Sequence, residues 1–204
     1  MNCTTATPET DGRRKEIMRL VEESLRALNG QASDLEIVIL NANVAPEEVT
    51  DHFGSLNQLM MHMVTALSEN LLIPLGGHSS TEAAFANILR HFGKGMARAY
   101  QDFYLIGLYR IALTEATRHT EACKAFFEHG PGLITNRLAE VFDKYRRVGE
   151  ISDGDMQLRA DHFLAILRSK VEIPNAKALS EGELDALVDE AVRITCWGIK
   201  GEHT

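Results

Sequence analysis

From Ile17 to Ile194 apolar side chains return every three or four residues, and no segment reads as strand–turn–strand. A 3.6-residue period gathers such positions on one face of a helix. The expectation is therefore an all-α fold. The first helix is expected from about Gly12 to Leu28, with Ile17, Leu20, Val21, Ser24, Leu25 and Leu28 in one stripe. Asn29-Gly30 stops it, because these residues tolerate the left-handed conformation at a helix C-terminus.

The next segment carries the densest local signals. Ser33 or Asp34 caps a short helix that turns Leu35, Val38, Ile39 and Ala42 inward. Asn43 stands where a tight interhelical turn needs a positive φ, and Val44 is the buried turn residue. Pro46 opens a third helix, at a position where its missing N–H costs nothing. That helix closes near Phe53, and Gly54-Ser55 starts a long fourth helix that runs to about Leu72. Two helices of about eight residues joined by so short a turn read as a helix-turn-helix.

Pro74 and Gly76-Gly77 suggest a boundary, which divides the chain into a disordered tail at 1–11, a helix-turn-helix unit at 12–74 and a helical bundle at 75–204. Further helices are expected at about 81–101, 103–118, 121–129, 131–148, 154–171 and 181–200. The last two are amphipathic. Phe163, Ile166 and Leu167 edge one, while Leu184, Leu187, Val188, Ala191 and Ile194 edge the other. Paired terminal helices of this kind either join a second subunit in a four-helix interface or pack within their own core.

Composition excludes several classes. At 204 residues and 45% apolar content, the chain buries a core without staples. Cys3, Cys123 and Cys196 are scattered and show no CxxC spacing, which argues against a disulfide framework or a zinc site and suits a reducing cytosol. The N-terminus lacks the apolar stretch of a signal peptide, and no apolar run reaches the length of a bilayer span. There is no phosphate loop, no GxSxG elbow and no marked triad, so no catalytic residues, cofactor or metal are expected. Glu115 and His119 lie four apart, but no further ligand spacing accompanies them.

A ligand pocket fits the composition of the central helices better. Met60 and Met63, with Tyr100, Phe103, Tyr104, Tyr109, Phe127 and Trp197, supply the thioether and aromatic surface of adaptable apolar sites. Arg110, Glu115 and His119 are candidates for the few polar groups that orient a ligand. For any one of these residues, plain core packing is the competing reading.

The segment SDLEIVILNANVAPEEVTDHFGSLNQL at 33–59 resembles the second to fourth helices of the TetR family of transcriptional repressors. LYRIALTEATRHTEACKAFFEHGP at 108–131 and ELDALVDEAVRI at 183–194 are similar to the C-terminal domain of one large subgroup. The resemblance implies a homodimer with two DNA-reading heads and, in each subunit, a pocket for a small apolar or aromatic effector. It also implies a near-palindromic duplex operator, with half-sites about one helical turn apart.

On the face that meets DNA the chain departs from this pattern. Glu36 stands where the family favours Arg or Lys, Thr50 where a Tyr reaches a phosphate, and Leu56 where a Lys opens the fourth helix. The loop before Ser33 is one residue short, with Gln31 at a usually aromatic position. Residues 32–59 hold five acids and no Lys or Arg, the reverse of a nucleic-acid binder. The candidate DNA contacts are Ser33, Pro46, Glu47, Glu48, Thr50, Asp51 and His52, together with Arg13, Arg14 and Lys15 as phosphate or minor-groove contacts. One carboxylate is compatible with base reading, since it accepts from cytosine N4.

Two readings follow. One is a ligand-responsive repressor with weak or unusual DNA contact. The other is a module of the same fold that has lost DNA binding and acts through a protein partner, such as a relative of the same fold, or by sequestering a ligand. Cations from the first helix and from residues 90–98 flanking the acidic face would favour the first reading.

Overall fold

Helix α1 (Pro8–Ala27) starts four residues earlier than the periodicity suggests, because Pro8 occupies the first turn of a helix, where proline fits. This shortens the expected tail; residues 1–7 lie outside the described residues. The computed structural model describes residues 8–76, 82–116, 120–170 and 178–199. They form α2 (Leu35–Asn41), α3 (Pro46–Phe53), α4 (Leu56–Leu72), α5 (Glu82–Ala99), α6 (Phe103–Ala116), α7 (Thr120–Phe127), α8 (Leu133–Arg147), α9 (Met156–Arg168) and α10 (Glu181–Ile199). No strand occurs among the described residues, and none of their helices is long and apolar enough to cross a membrane.

The chain divides into two compact units, Met1–Ala66 with Asp102–His129, and Leu67–Gln101 with Gly130–Thr204. This differs from the break expected at Pro74. Pro74 does end α4, in a 3₁₀ turn at Ile73–Gly76, but that turn packs on α5 and α8 and so belongs to the second unit. Conversely, α6 packs on α1 in a close crossing over its end, and α7 packs on α6, so both helices belong to the first unit.

In the first unit Ile17, Val21 and Leu25 of α1 are fully buried, beside Val38 and Ile39 of α2 and Val49 and Phe53 of α3. Gly30, at φ 61°, lets the chain leave α1 in the left-handed region. A Cβ there would stand 3.0 Å from the Phe103 carbonyl oxygen, and one on Gly107 would stand 2.7 Å from Leu25 Cδ2. The crossing is therefore closed to larger residues at both positions. Arg26 Nη2 reaches Asp102 at 2.8 Å and fastens the same corner.

The second unit encloses an aromatic core. Phe85 meets Phe142 edge-on at 5.5 Å and Tyr145 at 4.6 Å, while Phe92 stacks on Phe163 at 6.3 Å. Ser180 and Glu183 cap α10 reciprocally: the Ser180 backbone N–H donates to Glu183 Oε2 at 2.8 Å, and the Glu183 N–H donates to Ser180 Oγ at 3.4 Å. Along the outside, Arg90, Lys94 and Arg98 of α5 pair with Asp189, Asp185 and Glu181 of α10 at 2.9, 2.7 and 2.6 Å. The four-residue spacing on both helices, read in opposite directions, makes an antiparallel ladder. Exposed pairs contribute little individually, and a shift by one turn would still match two of the three, so the ladder favours the antiparallel pairing of the helices without fixing its register.

Two paired carboxylates of α10, one in the ladder and one beside it, give a pH signature. The Arg98 hydrogen bond holds Glu181 below its ordinary value of 4.5, and Arg193 does the same for Glu190. Carboxylates lowered in the folded state contribute stability that is complete above their unfolded value and lost as pH falls through the folded one. The melting temperature is therefore expected to hold steady from about pH 7 to about pH 5 and to drop below about pH 4. Melts followed by circular dichroism test this; a drop already complete at about pH 5 would exclude these carboxylates as its cause.

Candidate nucleic-acid interface

The helix-turn-helix is assembled as its sequence dictates. Asp34 caps α2, its carboxylate accepting from the Glu36 N–H at 2.9 Å. Asn43 takes φ 53° in the turn. Val44, Val49 and Phe53 are buried beneath α3. The Ser24 hydroxyl donates to the Val38 carbonyl at 2.8 Å and accepts from Asn41 Nδ2 at 2.9 Å, which ties α1 to the end of α2. A polar residue inside an apolar stripe was the sequence signal for this brace.

Pro46, Glu47, Thr50 and Asp51 are exposed on α3, and Ser33 is exposed just before the cap of α2. The Thr50 hydroxyl donates back to the Pro46 carbonyl at 3.1 Å. His52 is half-buried, and its carbonyl accepts from Arg14 Nε at 2.6 Å. The α2 positions Ile37 and Leu40, one turn apart, are 55% and 63% exposed. They make the outer face of that helix apolar.

The basic trio of α1 is differently placed from the expectation of free phosphate contacts. Arg13 Nε donates to Glu48 Oε1 at 2.6 Å, and this bond holds the Glu48 carboxyl below its ordinary range. The Arg14 guanidinium, besides capping α3, lies 5.3 Å over the Phe53 ring. Lys15 pairs with Asp11 at 2.6 Å. Glu48 is likewise half-buried under Arg13 rather than free on the reading face. The cations of residues 90–98 are engaged in the α5–α10 ladder described above. The physical reason is common to all: each cation has a carboxylate or carbonyl of its own chain within reach.

The ligand candidates fall into several environments. Met60 and Met63 are fully buried, and the buried Tyr104 donates its hydroxyl to the Met63 carbonyl at 3.3 Å. Burial pushes the Tyr104 phenol pKa upward. Tyr109 meets Phe127 edge-on at 5.8 Å and Phe126 at 6.1 Å, forming an aromatic cluster on α6 and α7 with Tyr109 38% exposed. Phe103 is 44% exposed. Arg110 donates to Gln31 Oε1 at 2.8 Å, so its guanidinium is bound to the loop after α1. Glu115 is half-buried on α6. Tyr100 belongs to the second unit, where Arg168 lies 5.8 Å over its ring. His119 lies outside the described residues, as does the side chain of Trp197.

Six of the eight candidate dimerisation residues require correction. Phe163, Leu167, Val188 and Ala191 have no exposed surface, and Leu184 and Leu187 are buried at 3% and 7%. These apolar edges pack against α5 and each other inside one subunit, because that is the face α9 and α10 share with the aromatic core. Ile166 is half-buried and Ile194 is 42% exposed. Among the described side chains of these helices, the exposed apolar ones are Leu158 at 50%, Ala165, Ala186 and, from the expected set, Ile194.

Residues 87–197 match the AefR-like transcriptional repressor C-terminal domain. A chain described as a TetR-family transcriptional regulator from Mesorhizobium loti MAFF303099 shares the fold with a TM-score of 0.71 at 18% identity, over 96% of this chain and 100% of that one. The flavonoid-responsive regulator FrrA does so at 0.64 and 18% identity, over 94% and 99%. A TetR-family regulator from Pseudomonas syringae pv. tomato str. DC3000 gives 0.63 at 16% identity, over 91% and 95%. No curated protein matches the chain. Since the matched domain spans more than half of the 204 residues, the chain belongs to the TetR family of transcriptional regulators and carries its AefR-like C-terminal domain.

Proposed function

We propose that the protein is a cytoplasmic, homodimeric, effector-responsive repressor that reads a near-palindromic operator with few phosphate contacts. The observation that carries this reading is the intact helix-turn-helix frame. Capped α2, the left-handed Asn43 turn and the buried Val49 and Phe53 keep α3 where a recognition helix belongs. Dimerisation through the outward faces of α9 and α10 is supported by exposed Leu158, Ala165 and Ile194. A small aromatic effector is supported by the Tyr109–Phe126–Phe127 cluster, and one protein of this fold is named flavonoid-responsive. Effector binding would shift the spacing of the two reading heads.

A second reading has its own observation. With Arg13, Arg14 and Lys15 bound internally and Ile37 and Leu40 exposed on α2, the same face suits a protein partner, including another regulator of this fold.

Titration of the purified protein against fluorescent duplexes from its own upstream region and from a randomised pool separates the two. Tight binding to one near-palindrome with a shallow salt dependence is expected. A folded dimer that leaves every duplex unbound at low salt would overturn the repressor reading in favour of the second.

A further inference from the structure

The geometry points to Glu48 as a brace that holds Arg13 to its own chain, competing with DNA phosphate for that cation, rather than as a reader of bases. The inference rests on the repressor reading and deepens it, because it assigns one recognition-helix position a positioning role. Three observations carry it.

First, Arg13 and Glu48 are thirty-five residues apart and meet at 2.6 Å, so the bond links the second turn of α1 to the first turn of α3. Arg14, next in sequence, caps the other end of α3 through the His52 carbonyl at 2.6 Å. Two successive arginines thus hold both ends of the reading helix. A change in either bond moves the helix as well as the charge.

Second, burial separates Glu48 from its neighbours. Glu47, Thr50 and Asp51 are exposed, whereas the Glu48 side chain is 29% exposed and turned toward α1. A carboxylate that accepts from cytosine N4 must face the groove.

Third, Arg13 retains 41% exposure at its side chain, and an ion pair this open to water is weak enough to break. A phosphate that captured Arg13 would have to leave Glu48 without its cation. The carboxylate therefore lowers affinity twice, by holding the cation and by repelling the backbone once the cation has gone.

The experiment is a salt-dependent titration of the full chain with the duplex it selects, comparing wild type, Glu48→Ala, Arg13→Met and the double variant, with the folded dimer verified for each. Glu48→Ala is expected to tighten binding roughly five- to tenfold and to steepen the plot of log affinity against log salt by about one, the signature of one added phosphate contact. The sequence selected from a randomised pool is expected to stay the same. Arg13→Met should remove the whole gain in the Glu48→Ala background while weakening the wild type less than about threefold. Glu48→Gln keeps a neutral acceptor for Arg13 and should fall between; it carries the test if the alanine variant does not fold. A changed base preference at one operator position would show that Glu48 reads a base, and weaker binding by Glu48→Ala would show that its brace on α3 outweighs its hold on Arg13; either outcome overturns the proposal. Wild-type binding with no gain in either Glu48 variant overturns the proposal alone. If every variant leaves all duplexes unbound, the repressor reading falls and the proposal with it.

Discussion

Phe163→Ala is expected to lower the unfolding free energy by about 3–5 kcal/mol, by the same amount at low and at high protein concentration. Phe163 has no exposed surface, stacks on Phe92 and lies in the core shared by α5, α9 and α10. Removing the ring forfeits its transfer free energy and leaves a cavity that packed neighbours refill only in part. Leu158→Ala, at a 50% exposed position on the same helix, should cost under about 0.5 kcal/mol in the isolated subunit. The contrast matters because Phe163 reads equally well as an interface residue in the sequence. Subunit association makes stability depend on concentration. Denaturant titration at two protein concentrations decides the matter: a Phe163→Ala penalty that grows as the protein is concentrated would place the ring at the dimer contact.

The second large effect is expected on DNA. Replacing Glu47 and Asp51 together by lysine should raise duplex affinity by about ten- to a hundredfold near 0.1 M salt and steepen the salt slope by up to about two. Both side chains are exposed on α3, and no Lys or Arg occurs within residues 32–59 to offset them. The exchange removes two repulsive charges from the face and adds two that release counterions. The four-charge change leaves the buried side of α3, Val49 and Phe53, untouched. Anisotropy titrations across a salt series measure it. An unchanged affinity and slope would mean that DNA does not meet this face, and that the exposed apolar pair Ile37 and Leu40 marks a protein contact instead.

The helix-turn-helix was the most legible part of the chain because its signals are local. A cap at Asp34, a left-handed Asn43, a proline at the start of α3 and a glycine after Phe53 each act within a few residues, so the element bounds of α2 and α3 follow from the chain itself. The ladder between α5 and α10 was half legible. Charges four apart are visible on each helix, at 90, 94 and 98 and at 181, 185 and 189, but which two helices run side by side is not. The site residues were less legible. Tyr109 and Phe127 do meet, while Arg110 is bound to Gln31 and Tyr100 belongs to the other compact unit.

What the amino-acid order alone determined is the all-helical class, the helix-turn-helix frame and the negative charge of its surface, since periodicity, caps and side-chain charge are properties of neighbouring residues. Tertiary structure decided the partners. It set α6 against α1 through the Gly30–Gly107 crossing, turned Phe163 and Val188 inward, and committed Arg13 to Glu48. Whether an apolar stripe faces its own core or a second subunit, and whether an arginine meets a phosphate or a carboxylate, depends on what packing brings within a few ångströms. Residues thirty or more positions apart acquire that relation only when the chain is folded.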